Sequence, residues 1–493
     1  MGSISFLLPN VLPDAARAML RSACFTAGFD QAPVPTTLQV LDDRLIASWE
    51  LNESRYLSLP WPIPPFSTLI ATTATLRETT QPYRLLVELA RGKLNQVRLQ
   101  AADWIGIGLR TPPGFEQALA ESGKLFSTAL SAAPDEADSL SARVLEQSHM
   151  LGDTLTREFI AQLFDTRHQD EGLLDTRLAA RTHSGFGGAR DEYTRAFNAA
   201  QIGLCWKDIE PEESRFNWDA TDQAVQDAKV AGLPITLGPV IDLAPGMIPE
   251  WGAGWKGDLP ALAAFMCDFT ERVVNRYKND VRRWVVCAGF NQSAALELDD
   301  DERLRLAFRL FEAAASIDSD LELVVSIAQP WGDYLVNKGH TIAPITFADD
   351  LLRTGIKISA IELELRLGST PRGSRPRDLL EAWRIMQLFG GLNMKLEILL
   401  SLPASAGADD RAVSGESTWN SGAPANYFLE AQADFGTALA GLALAFLDVR
   451  AVTWDHWSDS QPHIVPFSGL LDSAGCPKPL LTRLGTLRSA HLR

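Results

Sequence analysis

The sequence predicts an α/β protein in which a (β/α)8 (TIM) barrel over residues 178–493 follows a smaller N-terminal α+β domain over residues 1–175. Two observations lead to this prediction. At 493 residues, 46% of them hydrophobic, the chain is long enough for two domains that each bury a core. From about residue 178 onward, short apolar segments alternate with helical segments, which is typical of a barrel of parallel strands.

The N-terminal region begins with strand-like segments and continues with helical ones. β-branched and apolar residues stand between turn formers at 37–41, 45–51 and 56–59, and the prolines that follow are expected to end this section. Helices are predicted from about residue 85 to Trp104, and at about 114–132 and 136–164. No catalytic motif occurs here, so the region is expected to support the larger domain, with ligand binding as the alternative.

Eight strands are predicted in the second region, at 183–186, 203–206, 235–241, 283–288, 321–327, 360–365, 395–400 and 451–454. Helices are predicted at 220–231, 261–277, 301–316, 377–389 and 426–446. Strands such as 321–327 are mostly apolar throughout, as is typical of strands covered on both faces. An open doubly wound sheet is the alternative, but no glycine-rich phosphate loop follows any of the strands.

Composition restricts the partners and the location of the protein. A formal net charge of −17 disfavours nucleic acids and anionic membranes, since both bind basic surfaces, and favours a neutral or cationic ligand. The 5 cysteines show neither a CxxC pair nor the spacing of a zinc site, so we expect reduced thiols, no metal and no cofactor. No secretory signal or membrane span is recognised, which predicts a soluble, cytoplasmic protein whose oligomeric state stays open.

Several short motifs occur in order along the second region. They are Phe197-Asn198, Trp206 with Ile209-Glu210-Pro211, Pro249-Glu250-Trp251, Trp284, Gly469-Leu-Leu-Asp472 and Pro477-Lys-Pro479. Together these motifs resemble glycoside hydrolase family 10, the family of xylanases. The resemblance covers residues 197–487 and implies the barrel fold, a carbohydrate ligand and two catalytic glutamates, one ending the fourth strand and one ending the seventh.

The chain departs from the family at both catalytic positions. The segment that begins at Trp284 places Gly289 where the family has its acid/base glutamate. Aligning the seventh strand on Ser401 and Pro403 places Leu399 at the position of the nucleophile. Neither glycine nor leucine can transfer a proton or attack a sugar carbon, so the retaining mechanism cannot be carried over to this chain.

Polar and aromatic residues that follow the predicted strands are the candidates for a site, because active sites of this fold lie at the C-terminal ends of the strands. Glu364 and Arg366 share one face of the sixth strand, either as a self-satisfied ion pair or with Glu364 as a general acid or base. His183 and His456 are isolated in the sequence and are expected to be hydrogen-bond partners. The candidates for ligand binding are Asp242, Asn291, Gln329, Trp331, Arg366, Trp454, Trp457 and Asp459.

Glu397 is a second catalytic candidate, since it shares a face with Leu399 one layer deeper in the barrel. A shift of the alignment by two residues would make Glu397 the nucleophile, and otherwise it is a buried, hydrogen-bonded glutamate. Three functions follow from these residues. The first is a barrel that binds a carbohydrate or polyol without hydrolysing it, the second is a xylanase-like glycoside hydrolase that uses displaced carboxylates, and the third is a structural or interaction protein.

Overall fold

The computed structural model describes residues 2–10, 12, 17, 19–20, 25–28, 31–255, 257–292, 296, 298–336, 340–413, 417 and 425–493. Two four-stranded sheets form the N-terminal part. The first has the order β4-β5-β1-β8 and the second has the order β3-β2-β6-β7. Their strands are β1 (Gly2–Leu7), β2 (Phe25–Ala27), β3 (Pro33–Val34), β4 (Thr37–Val40), β5 (Arg44–Trp49), β6 (Tyr56–Ile63), β7 (Ser67–Thr72) and β8 (Tyr83–Arg84).

Strand β6 continues through Pro60 and Pro62, so the prediction that the prolines end the strand section was wrong. Ser58 is the last residue of β6 that pairs with β2, whereas the pairing with β7 extends to Ile63. Among the described residues, the prolines lie where β6 pairs with β7 alone, and a missing N–H on the side away from β7 costs no hydrogen bond of that ladder.

Three helices connect the sheets to the barrel: α1 (Leu85–Gly106), α2 (Phe115–Ser131) and α3 (Pro134–Glu171). The indole of Trp104 in α1 stacks on Phe159 in α3, with ring centroids 3.9 Å apart. Both rings also contact Trp383, which belongs to a barrel helix, in edge-on geometry. The aromatic cluster joins the helical part of the N-terminal region to the outside of the barrel.

The barrel is a closed sheet of parallel strands. Its first and last strands pair with each other, Thr453 lying opposite Ala179, and this pairing closes the ring. The third barrel strand is in two segments, β11 and β12. The strands are β9 (Arg177–Thr182), β10 (Ala200–Ile202), β11 (Ile235–Leu237), β12 (Ile241–Asp242), β13 (Arg283–Ala288), β14 (Glu322–Ile327), β15 (Ala360–Arg366), β16 (Lys395–Ser401) and β17 (Val449–Trp454). The predicted (β/α)8 fold is confirmed.

Helices follow the strands and cover the outside of the barrel. They are α4 (Arg190–Ala196), α5 (Trp206–Ile209), α6 (Asp219–Val230), α7 (Glu250–Ala253), α8 (Leu259–Tyr277), α9 (Asp300–Ile317), α10 (Pro344–Arg353), α11 (Leu379–Gly390), α12 (Ala425–Ala445) and α13 (Pro479–His491), with a short 3₁₀ helix at Asp333–Val336. None of the described helices combines the length and apolarity that a bilayer span needs.

The first two barrel strands lie earlier in the chain than predicted, at Arg177–Thr182 and Ala200–Ile202. These strands lack the apolar run that marks the others, because they contain Arg177, Arg181 and Gln201. Arg181 is neutralised there by Asp455 at 2.7 Å, and Gln201 donates a hydrogen bond to Glu362 at 3.4 Å. Their polar side chains are thus explained by contacts with distant strands.

Candidate ligand site at the barrel mouth

A cavity of 300 Å³ opens at the C-terminal ends of the first three barrel strands and the last one. Its walls combine apolar side chains with a convergent set of charged and histidine side chains. The polar residues that line it are Arg181, His183, Ser184, Cys205, Asp208, Asp242, Arg372, Asp455, His456, Gln461 and His463, and the apolar ones include Leu204, Pro239, Met247 and Ile464. This mouth cavity is where the fold class keeps its active sites.

Three histidines lie side by side along the cavity. The ring centroids of His183 and His456 are 6.2 Å apart, and those of His456 and His463 are 4.9 Å apart. Gly203 at the end of β10 makes room for the first of them, because a Cβ at that position would lie 2.3 Å from the His183 ring. The two histidines that are isolated in sequence therefore become neighbours when β9 pairs with β17.

Burial keeps two of these histidines neutral. It lowers the pKa of His183, and it lowers the pKa of His456 to about 3, with further contributions from the neighbouring histidines. The Nε2 atom of His456 is buried and has no hydrogen-bond partner among the residues that the structure describes. A neutral imidazole with an unused ring nitrogen can exchange a hydrogen bond with a ligand hydroxyl.

Asp455 at the end of β17 is held between two arginines. Arg181 Nη1 lies 2.7 Å from Oδ1, and Arg366 Nε lies 2.7 Å from Oδ2. Burial alone would raise the pKa of Asp455, but Arg366 and Arg181 hold it well below its usual range. Asp455 is consequently a fixed anion that orients the arginines, with no proton to donate at neutral pH.

Glu364 and Arg366 form the ion pair that their shared face allows, and both are buried. The hydroxyl oxygen of Ser326 lies within hydrogen-bond distance of Glu364, at 3.0 Å, and of Glu362, one layer deeper, at 2.7 Å. Burial raises the pKa of Glu364 despite the nearby Arg366. Glu364 lies opposite Leu399 in the strand register.

Asp242 lies beside the other altered position. Its Oδ1 accepts a hydrogen bond from the N–H of Ala244 at 2.8 Å, and its Oδ2 is 3.6 Å from Arg372 Nη2. A Cβ built on Gly289 would lie 3.4 Å from Asp242 Oδ1. The carboxylate from the third strand therefore occupies space next to the end of the fourth strand.

Arg372 belongs to a loop, residues 367–378, that follows β15 and crosses the mouth. This strand-six loop is anchored by Gln329, whose Nε2 donates to the carbonyl oxygens of Pro371 at 2.6 Å and Gly373 at 2.7 Å. Arg372 itself donates to the carbonyl of Pro245 at 3.5 Å. Gln329 thus lies below the loop, and it is Arg372 that lines the cavity.

Glu397 lies away from the cavity, in the layer of Glu362. It forms an ion pair with Arg283, which also contacts Glu322 at the opposite end of the barrel. Cys205 does line the cavity, but burial raises the pKa of its thiol to about 12, so it is not a ready nucleophile. Asp242 lies close enough to Glu364 and Arg366 to act on both electrostatically, but of these three residues only Asp242 lines the cavity, and Glu397 is separate from them.

Five other predicted ligand contacts lie outside the cavity lining. Asn291 bonds both the N–H and the C=O of Ala328. Trp454 donates to the carbonyl of Ser468 at 2.7 Å, and Trp457 donates to that of Phe186 at 3.3 Å while packing on Tyr193. Asp459 pairs with Lys478. Trp331 lies under Arg377, whose guanidinium is 4.5 Å from the ring centroid.

Sequence reasoning missed Arg181, Arg372 and His463, and left His183 and His456 unconnected. One signal could have linked the two histidines: they follow the first and last predicted strands, which must be neighbours in a closed barrel. Among the described residues, no group of three or more His, Cys, Asp or Glu side chains is arranged to hold a metal ion. The four described cysteines are free, and Cys24 lies outside the described residues.

Solved structures similar to this chain are xylanases. Xylanase 10B from Thermotoga petrophila is 15% identical over 68% of this chain and 97% of its own, with a TM-score of 0.47. A GH10 structure from Paenibacillus barcinonensis is 17% identical over 64% and 95%, with a TM-score of 0.49. Xylanase B from Clostridium stercorarium is 18% identical over 66% and 98%, with a TM-score of 0.46. No protein-family model and no curated protein sequence matches the chain.

Proposed function

We propose that this protein binds a carbohydrate or related polyol in the mouth cavity without the retaining hydrolysis that uses two glutamates. The observation that carries the proposal is the pair Gly289 and Leu399 at the ends of β13 and β16. Leu399 is completely buried, and Gly289 has a left-handed backbone with φ of 74°. Neither position offers a carboxylate to a sugar ring, whereas retaining hydrolysis needs two carboxylates about 5.5 Å apart.

The mouth cavity has the size and chemistry for one sugar-sized ring. Its 300 Å³ is at the lower end of the range for small-ligand sites, about 300–1,000 Å³. Aliphatic walls such as Leu204, Met247 and Ile464 suit the C–H faces of a pyranose. Asp208, Asp242 and His456 Nε2 supply hydrogen-bonding atoms for hydroxyl groups.

Isothermal titration with xylose, glucose and xylitol tests the binding proposal. We expect one of these probes to bind, and Asp242→Ala to weaken its binding at least about tenfold, because a hydrogen bond to a charged group contributes about 1.5–3 kcal/mol. The exposed Asp219→Ala is the control variant and should bind like the parent protein. Binding that is equal in all three proteins would exclude the mouth cavity as the site.

A glycoside hydrolase with displaced carboxylates is the second candidate, and the positions of Asp242 and Glu364 favour it. Asp242 lies beside Gly289 and Glu364 lies beside Leu399, so each altered position has a carboxyl neighbour. The raised pKa of Glu364 would suit a general acid, with Asp242 as its partner. Under this hypothesis, Asp242 on the third strand and Glu364 on the sixth take over the roles that glutamates on the fourth and seventh strands have in the family.

Assays with aryl β-glycosides and xylan separate the two candidates. Hydrolysis that is present in the parent protein and lost in Glu364→Gln would establish the hydrolase. Glu362→Gln is the matched control, because Glu362 is equally buried on the same strand and bonds the same Ser326 hydroxyl. Binding without turnover supports our proposal, and neither binding nor turnover would favour a structural or interaction protein.

We also infer a cytoplasmic location and no nucleic-acid or membrane partner. The location is inferred from the four described cysteines, which are free, as is typical of a reducing compartment, and the partners are inferred from the net charge of −17. Fractionation of cells that produce the full chain tests the location. Co-sedimentation with anionic vesicles and with nucleic acid tests the partners.

A further inference from the structure

We propose that the chain carries a second ligand site in the groove between its N-terminal region and the barrel, and that this site takes a neutral polyhydroxylated ligand such as a short oligosaccharide. This interface groove lies between β7, α1 and α11 and has a volume of 660 Å³, compared with 300 Å³ for the mouth cavity. The two cavities share no lining residue.

The lining of the groove is rich in neutral hydrogen-bonding groups. It includes the amides of Asn95, Gln100 and Gln387 and the hydroxyls of Thr72 and Thr75. An amide and a hydroxyl each donate and accept hydrogen bonds, as the hydroxyls of a sugar do. A groove of this volume accommodates about two or three sugar rings, within the size range of small-ligand sites.

Three of the four Lys, Arg, Asp and Glu residues that line the groove already have ionic partners, and the fourth, Asp103, is exposed. Lys93 pairs with Asp378, and Arg384 lies 3.0 Å from Glu381. Gln96 joins the two pairs, because its Oε1 accepts from Lys93 at 2.7 Å and its Nε2 donates to Glu381. An ionic ligand would compete with these contacts, whereas a neutral one would not.

One buried polar group beside the groove lacks a hydrogen-bond partner within the described part of the chain. Trp331 lines a recess of 60 Å³ that shares Tyr56, Ile70 and Leu388 with the groove, and its Nε1 is buried without a partner. A buried polar group without a partner costs about 1–3 kcal/mol, so a ligand hydroxyl that bonds it is favoured.

The walls of the groove are held in place before any ligand binds. Gly92 in α1 lets the end of β7 approach closely, since a Cβ there would lie 2.1 Å from the carbonyl oxygen of Thr72. On the barrel side, the N–H of Ile70 donates to the carbonyl of Pro376 at 2.9 Å. Preformed walls reduce the entropy that ligand binding would otherwise cost.

Isothermal titration of the full chain with xylotriose, cellotriose and maltotriose tests this site. We expect at least one trisaccharide to bind, and Trp331→Phe and Gln387→Leu each to weaken its binding at least about fivefold, since each removes a hydrogen-bonding group. Trp331→Phe keeps the ring under Arg377, and Gln387 is exposed, so both variants should fold. The exposed Gln117→Leu, outside the groove, is the control variant.

Variants at the two cavities distinguish trisaccharide binding in the interface groove from ligand binding in the mouth cavity. Trisaccharide binding that is weakened by the groove variants and unchanged in Asp242→Ala supports the second site, whether or not monosaccharides bind at the mouth. Binding that is equal in Trp331→Phe, Gln387→Leu and the parent protein would overturn it. The absence of binding by all three trisaccharides at 10 mM, a concentration chosen to detect Kd values of about 1 mM, would overturn it as well.

Discussion

At the end of β13, the backbone of Gly289 is as informative as its missing side chain. Its φ of 74° lies in the left-handed region, where a residue with a Cβ is strained. The carboxylate of Asp242 and the backbone N–H of Ala244 lie 3.4 and 3.5 Å from the position that a Cβ would take. A glutamate here would meet both backbone strain and a neighbouring negative charge, so the strand end is built differently from one that carries an acid/base residue.

We therefore expect Gly289→Glu, alone or with Leu399→Glu, to produce no xylan hydrolysis and to destabilise the protein. The left-handed conformation alone should cost about 1–3 kcal/mol. The measurements are reducing-sugar release from xylan and the free energy of unfolding in urea. Gly289→Ala should lose about as much stability as Gly355→Ala, because φ is 74° and 78° at the two positions and the atoms nearest the added Cβ at Gly289 lie at ordinary van der Waals distances. A much larger loss in Gly289→Ala would contradict backbone strain as the main cost of adding a Cβ there.

At the scale of elements, the N-terminal region holds the strand-six loop from outside the barrel. Asp378 ends that loop and caps α11, accepting a hydrogen bond from the N–H of Glu381 at 3.0 Å. The ammonium group of Lys93 in α1 pairs with Asp378, and His149 Nε2 in α3 lies 3.4 Å from the same carboxylate. Burial and the adjacent Lys93 lower the pKa of His149 to about 4. His149 is therefore neutral at pH 7, and Lys93 supplies the positive charge that pairs with Asp378.

Replacing Lys93 with Met should destabilise the protein by about 3–5 kcal/mol at pH 8, because the buried Asp378 loses its cation. The loss should be smaller at pH 5. Without Lys93, the pKa of His149 should rise above 4, and a protonated His149 can then pair with Asp378. Urea unfolding at the two pH values measures the difference, with the exposed Lys124→Met as the control. A loss that does not depend on pH would contradict the assigned role of His149.

Across the whole molecule, the barrel interior is a stack of buried charges. Glu397 and Glu362 lie opposite each other in the lower part, where Glu397 pairs with Arg283 and Glu362 lies 3.6 Å from Arg181, and Arg366 pairs with Asp455 near the mouth. Burial raises the pKa of Glu362 to about 6, although Arg181 lies 3.6 Å away. The folded protein therefore binds this proton more tightly than the unfolded chain, and ionisation of Glu362 costs stability as pH rises from 4.5 to 6.

Glu362→Gln should remove that cost. Relative to the parent protein, the free energy of unfolding of the variant should increase by up to about 2 kcal/mol between pH 4.5 and 6, at 1.36 kcal/mol per unit of pKa shift. Protonation of Asp455 changes the free energy of unfolding only at lower pH, because its pKa is held below the usual range. It therefore does not obscure the change between pH 4.5 and 6. Urea unfolding across the pH range measures the effect, and a constant difference, as expected for the exposed Glu213→Gln, would contradict it.

The aromatic and acidic residues after the strands lie at the end of the barrel where the mouth cavity opens, but most of them do not line the cavity. Trp454, Trp457 and Asp459 follow the last strand, yet their polar atoms are used by Ser468, Phe186 and Lys478. Sequence position indicates that a residue lies near the mouth, since all strand ends meet there. Which way the side chain points depends on the packing of loops that are distant in sequence.

The sequence by itself determined the alternation of strands and helices, and with it the closed barrel, because these patterns are local and each follows from the period of its apolar residues. It also determined that Gly289 and Leu399 carry no carboxylate. Only the tertiary structure decided that His183 meets His456, that Asp242 lies beside Gly289 and that Trp331 lines the recess next to the interface groove. Each of these contacts joins residues far apart in the chain, and their geometry depends on barrel closure and on the docking of the N-terminal region.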